Sequence, residues 1–146
     1  MNNRFVLDTC AIISFFKEFI DGATVSISQV ALKKIEEIFL DTSNFVYIPC
    51  ISLVEIHSKF STSAEKNAKL KSEILQYLKN HENVSFEDID YEVLDNFLKI
   101  SCGTGFDFRD RIILAIGMKY QCTLITSDGP IAKYIRKTGI LPNVIK

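Results

Sequence analysis

The stretch from Phe5 to Ile13 sets one carboxylate, Asp8, between two apolar runs, and that placement restricts the folds open to the chain. Phe5-Val6-Leu7 is too short for a helix and carries aromatic and β-branched side chains, so it reads as a buried strand. Thr9 is a suitable N-cap for a helix continuing through Ala11, Ile12 and Ile13. Asp8 then ends a strand and precedes a helix, at the edge where open parallel α/β sheets bind ligands. A carboxylate between hydrophobic elements is costly unless a cation or hydrogen-bond donors meet it.

The same alternation continues along the chain. Ala31, Leu32, Ile35, Ile38 and Phe39 recur at helical spacing, with a cap at Ser26 or Ser28. Phe45 to Ile48 reads as a strand ended by Pro49, and Ser52 to Phe60 as a short helix. A polar helix over Ala64 to Lys79, a short strand over Asn83 to Phe86 and a helix over Tyr91 to Ile100 follow. Cys102-Gly103-Thr104-Gly105 is the most flexible stretch in the middle of the chain. Arg109 to Tyr120 reads as a largely buried helix and Thr123 to Thr126 as a strand. Ser127-Asp128-Gly129-Pro130 opens a helix that Gly139 ends, and Leu141 to Ile145 forms a last strand. Strands separated by helices give an α/β fold with a parallel sheet covered on both faces, in a single domain over residues 1–146.

Composition removes several classes. An apolar fraction of 47% with 11 Phe supports a real core. Cys10, Cys50, Cys102 and Cys122 lack zinc-ligand spacing, and no secretory pattern supports disulfides. No apolar run is long enough to span a bilayer, so no membrane role and a cytoplasmic location are expected. With a net charge of −1, any nucleic-acid contact needs a local basic patch.

Four acids share a kind of position. Asp8 and Asp128 follow apolar strands, while Glu55 and Asp110 lie in the first turns of helices. Each has a structural explanation alone. Asp8 and Asp128 can cap helices, and Glu55 fits a capping box with Ser52, as Asp110 does with Asp107. Together, four carboxylates on one edge repel and raise one another's pKa unless a cation joins them, and hard oxygen donors suit Mg²⁺ or Mn²⁺. Thr9 and Thr126 are placed to orient such ligands. Nucleic-acid contact would have to come from Lys59, Lys66, Lys69, Arg109, Arg111, Lys133 and Arg136, of which Arg109 and Arg111, flanking Asp110, are the better candidates for phosphate contacts. His57 reads as a surface residue and His81 as a helix-end residue.

Leu7-Asp8-Thr9, Val54-Glu55, Asp110-Arg111-Ile112-Ile113-Leu114-Ala115 and Leu124-Ile125-Thr126-Ser127-Asp128 resemble, in order, the four acidic motifs of PIN-domain ribonucleases. The whole chain is similar in length and element order to the VapC toxins of toxin–antitoxin pairs. The resemblance implies a three-layer fold with a parallel sheet in order 3-2-1-4-5. It also implies Mg²⁺- or Mn²⁺-dependent endonucleolytic cleavage of RNA by Asp8, Glu55, Asp110 and Asp128, with Asp107 a further candidate ligand. A small antitoxin is the implied partner, for which Phe15, Phe16, Ile35 and Phe39 offer apolar surface if the core does not claim them; pairing into a homodimer stays open. Two positions depart from the family pattern. Many relatives carry Asn or Ser where this chain has Cys10, and Ala where it has Gly117; neither change removes a carboxylate.

Other classes remain to be separated: a PIN-type RNA-processing nuclease without antitoxin, an inactive PIN-like interaction module, and a phosphoryl-transfer domain with a nucleophilic Asp. The last needs a second acid two residues after Asp8, where this chain has Cys10.

Overall fold

A computed structural model describes residues 2–100 and 102–146. Its centre is a strand β1 (Arg4–Leu7), paired in parallel with β2 (Phe45–Pro49) on one side and β4 (Thr123–Ile125) on the other. Val6 stands opposite both Tyr47 and Leu124. β3 (Val84–Glu87) and β5 (Asn143–Ile145) complete an all-parallel sheet in the order β3-β2-β1-β4-β5. The chain builds outward from β1 to β3, then crosses back to β4. β1 and β4 therefore flank the switch point at which their following helices leave on opposite faces.

The alternation of side chains along each strand divides the interior into two cores. Leu7, Val46, Ile48 and Ile125 face Ile12, Ile35, Ile38 and Leu78 on one side of the sheet. Val6, Tyr47 and Leu124 face Leu114, Ile116 and Ile131 on the other. The first core is covered by α1 (Thr9–Phe15), α2 (Gln29–Leu40) and α3 (Cys50–Phe60), and the second by α6 (Tyr91–Lys99), α7 (Phe108–Tyr120) and α8 (Gly129–Thr138). Ile112 through Gly117 are buried without interruption, so α7 is enclosed on nearly every side. A Cβ at Gly117 would lie 3.1 Å from both Leu141 Cδ atoms and 3.3 Å from Val6 Cγ1, so glycine lets α7 approach the sheet closely.

Local chemistry departs from the expected Thr9 cap and Ser52 box at the starts of α1 and α3, and agrees with expectation at α2 and α7. Asp8, rather than Thr9, is the N-cap of α1, and Thr9 is its first helical residue. The α3 helix begins at Cys50, directly after Pro49, so Ser52 lies inside it with its hydroxyl buried and without a hydrogen-bond partner among the described residues. The expected Ser52–Glu55 capping box is therefore not made, and Glu55 faces elsewhere. Asp107 caps α7 as expected, accepting from the Arg109 amide at 2.8 Å. Ser28 is the cap of α2.

The polar segment of residues 64–79 is helical throughout but changes pitch: α4 (Ala64–Leu70) passes through a π-helical turn at Lys71–Leu75 into α5 (Gln76–Lys79). Only Ile74 and Leu78 of this segment are fully buried, and they dock it on the first core. Phe16, Ile35 and Phe39 are buried in that core and Phe15 stacks on Phe39 at 5.3 Å, so the core claims the residues held available for an antitoxin. His81 Nδ1 lies 2.7 Å from the Tyr77 carbonyl, and its ring packs on Tyr77 and Phe39. Cys10, Cys50 and Cys122 are free thiols, and the Cys102 side chain lies outside the described residues. No helix among the described residues is long and apolar enough to cross a membrane.

Because Leu78 is fully enclosed, Leu78→Ala should cost about 2–5 kcal/mol in urea unfolding, as cavity-forming core changes do. Lys71→Ala, on the exposed side of the same segment, should change stability by less than about 0.5 kcal/mol. Equal small effects would mean that the segment is not part of the cooperative core.

Candidate functional site

Parallel pairing of β1 with β4 brings their carboxyl ends together, and the residues that follow them carry the chemistry. Asp8 is 5% exposed. Its Oδ1 accepts from the Thr9 amide at 2.7 Å, closing the first turn of α1. Its Oδ2 accepts from the Thr126 hydroxyl at 2.6 Å and from the Cys10 thiol at 3.6 Å. Burial pushes the Asp8 carboxyl above its ordinary value, against the opposing pull of these donors. Burial and the neighbouring Asp8 also push the Cys10 thiol up, so its proton stays on sulfur.

Asp128 caps α8, with Oδ1 accepting from the Ile131 amide at 3.0 Å. Its own amide donates to Thr126 Oγ1 at 3.0 Å. Thr126, wholly buried, thus links the two strand-end acids through one oxygen. Thr9 is buried beside Asp8, but its hydroxyl has no partner among the described residues.

The other two acids come from helices on the same edge. Asp110 lies in the first turn of α7 and is pushed up to about 7, first by burial and then by the charges of Asp8, Asp128, Asp107 and Glu55. Glu55, on α3, pairs with Arg109 at 2.8 Å. Arg109 also grips Asp107 with two hydrogen bonds, Nε to Oδ1 at 3.0 Å and Nη2 to Oδ2 at 2.9 Å. That fork holds the Asp107 carboxyl down at about 2. Asp107 is therefore engaged as helix cap and arginine partner, and it does not line the cleft.

Asp8, Cys10, Glu55, Lys59, Asp110 and Asp128 line an open cleft of about 600 Å³, with Thr9, Arg109 and Ser127 along its walls. The acids surround it without closing on one point. Among the described residues no three His, Cys, Asp or Glu side chains stand close enough to hold one ion. Donor chemistry nonetheless fits a hard divalent cation. The acids offer oxygen, and Asp110 is pushed up by burial and by like charges that such an ion would offset. A second, apolar pocket of about 240 Å³, between α3 and the 64–79 segment, is lined chiefly by Leu53, Ile56, Leu70 and Ile74 and has no acid in its wall.

The basic candidates separate. Lys59 is exposed at the cleft wall and has no carboxylate partner among the described residues. Arg111 does not share the cleft with Asp110. One residue further along the helix it points to the other side, its guanidinium 4.1 Å over the Phe97 ring and its Nε buried without a partner among the described residues. The flanking-pair expectation for phosphate thus fails for Arg111. Lys133 and Arg136 are exposed on α8 outside the cleft wall, and His57 is exposed on α3. Sequence reasoning passed over two contributors, the Cys10 thiol and the Arg109–Glu55 ion pair. The first was visible only as a departure from a family pattern, and the second joins residues far apart in sequence.

The PIN domain family pattern matches residues 5–137, and the chain belongs to that family. Three solved structures share its fold over nearly their whole lengths. VapBC2 from Rickettsia felis, bound to a promoter DNA fragment, has a TM-score of 0.65 and 14% identity, over 98% of this chain and 97% of that one. A toxin–antitoxin complex from Klebsiella pneumoniae has a TM-score of 0.63 and 16% identity, over 97% and 95%. FitAcB from Neisseria gonorrhoeae has a TM-score of 0.64 and 17% identity, over 97% and 96%. No curated protein sequence matches the chain.

The raised Asp110 gives a signed pH dependence. Its ordinary value is 3.8 and its folded value is about 7, so between these pH values the folded chain holds a proton that the unfolded chain releases. The Asp110 contribution to stability in EDTA should therefore be full below about pH 4 and fall as pH rises towards 7. Asp107, shifted down, acts only below this window. Thermal melts of the parent and Asp110→Asn across pH 4–8 should show the decline in the parent and a flatter profile in the variant. Parallel profiles would remove the convergence of charge on Asp110.

Proposed function

We propose that the protein is a divalent-cation-dependent endoribonuclease acting as the toxin of a toxin–antitoxin pair. The reading is carried by Asp8, Glu55, Asp110 and Asp128, which four separate segments bring to one cleft at the carboxyl edge of the sheet. Membership of the PIN family and a fold shared with VapBC2, FitAcB and the Klebsiella pneumoniae toxin–antitoxin complex support it.

Asp8, Asp110 and Asp128 would hold Mg²⁺ or Mn²⁺, and Glu55 would bind it directly or through water. When bound, the ion supplies charge that lets the acids ionise together, and the polarisation needed for water to attack a phosphodiester. The chain's own groups do the rest. Thr126, Cys10 and the Thr9 amide fix both oxygens of Asp8, and the α8 cap fixes Asp128. Asp110, half-buried, is pushed up by burial and by the charges of Asp8, Asp128, Asp107 and Glu55. Lys59 offers an ammonium at the cleft wall for a backbone phosphate. Arg109, paired with Glu55 at 2.8 Å, would be free for the same task if Glu55 held the ion instead. Lys133 would extend the basic track along α8. The proposal includes a cytoplasmic RNA substrate, an antitoxin that would restrain the activity, and formation of a homodimer.

Purified protein incubated with structured and unstructured RNAs should cut them with Mn²⁺ or Mg²⁺ and leave them intact in EDTA. Asp110→Asn should lose cleavage by orders of magnitude. Asp107→Asn should retain most of it, because Asn caps a helix about as well as Asp. The reverse ranking would move the ligand to Asp107. Expression of the chain alone should slow growth and Asp8→Asn should not; equal arrest by both would refute the toxin-nuclease reading.

A further inference from the structure

Two side chains at the cleft make the same pair of hydrogen bonds, each through a single atom. Thr126 Oγ1 donates to Asp8 Oδ2 at 2.6 Å and accepts from the Asp128 amide at 3.0 Å. Cys10 Sγ donates to the same Oδ2 at 3.6 Å and accepts from the Ser127 amide at 3.3 Å. The two bridging atoms lie 3.8 Å apart. Consecutive amides of the loop between β4 and α8 are thereby tied to one carboxylate oxygen at the end of β1. Thr126 directly follows β4, so its bridge restates a connection that strand pairing already makes. Cys10 stands in the first turn of α1, and its bridge fastens a third element to that loop.

We propose that Cys10 is a positioning residue, whose thiol clamps the Ser127-Asp128 loop onto Asp8 and sets the relative placement of the Asp8 and Asp128 carboxylates. The clamp stands on these contacts alone, while its consequence for a cation rests on the metal-site reading above. Sulfur suits the place for a reason of size. Separations of 3.6 and 3.3 Å lie within reach of a thiol but beyond the usual range for a hydroxyl. A serine there keeps donor and acceptor, and the loop must close slightly to use them. An alanine removes both, leaving the Ser127 amide without the sulfur that accepts from it and Asp8 Oδ2 with one donor fewer.

The full-length parent, Cys10→Ala and Cys10→Ser are compared by two measurements. The first is amide hydrogen exchange of Ser127 in EDTA, read by NMR. Cys10→Ala should exchange roughly tenfold faster there, with the β1 and β4 amides unchanged, and Cys10→Ser should recover most of the protection. The second is Mn²⁺ affinity by calorimetry. Cys10→Ala should bind at least about tenfold more weakly and Cys10→Ser should restore most of the affinity, the size of effect that residues supporting metal ligands have. A Ser127 amide equally protected in parent and Cys10→Ala overturns the clamp. A loosened loop with unchanged Mn²⁺ affinity overturns the positioning role. A parent that binds no Mn²⁺ overturns the metal-site reading, and the exchange data then judge the clamp alone. Should Cys10→Ala fail to fold, Cys10→Val, close to cysteine in size but without donor or acceptor, carries the same comparisons, with the same losses expected and parental protection and affinity overturning the proposal.

Discussion

Parallel pairing of β1 with β4 is the contact on which the site depends. It sets Val6 against Leu124 and Leu7 against Ile125, and so delivers Asp8 and Thr126 to the same edge one residue later. The Asp8 amide continues the ladder by donating to the Ile125 carbonyl at 3.0 Å, and Thr126 then reaches across to the Asp8 carboxylate. A register slip of one residue would turn Thr126 and every apolar side chain of β4 to the opposite face. The buried apolar faces on both sides of β1 exclude that slip, so the two cores also specify the position of the acids.

What the cores hold in place is electrostatically unfavourable by itself. Asp8 is buried against solvent, and Asp110 meets the charges of four other acids. Part of this is offset within the chain. The Thr9 amide, the Thr126 hydroxyl and the Cys10 thiol satisfy Asp8, Asp128 is engaged as a cap, and Arg109 neutralises Asp107 and Glu55 together. Asp110 has no such partner among the described residues, and its elevated pKa expresses that deficit. Charge left uncompensated at a cleft is what the proposed cation would offset.

The strand–helix alternation and the acids at strand ends were legible because both follow from local pattern. An apolar run that stops at Asp8 or before Asp128 announces its own edge. Sheet order came through resemblance, since periodicity along β1 or β4 says nothing about which strand lies beside it. Helix starts were harder to read. Asp8 and Thr9 both make good caps, and the choice depends on Asp8 being fixed by Thr126, a residue 118 positions away. Ser52 and Glu55 have capping-box spacing, yet Pro49 starts the helix early and Arg109 takes Glu55. Arg111 looked equivalent to Arg109 until the helix turned it onto Phe97. In each case a tertiary contact overrode a local rule.

The central claim is that Asp8 belongs to a set of acids kept together for a shared cation. Its most direct test is thermal melting of the parent and Asp8→Asn, each in EDTA and in Mn²⁺. Asn preserves the α1 cap and can donate to the Thr126 hydroxyl, while removing one charge from the cluster. The variant should melt no lower than the parent in EDTA, and should lose the upward shift that Mn²⁺ gives the parent through binding to the folded state alone. A variant that melts clearly lower in EDTA, yet gains the parent's full shift with Mn²⁺, would show that Asp8 is a structural cap and would contradict the account.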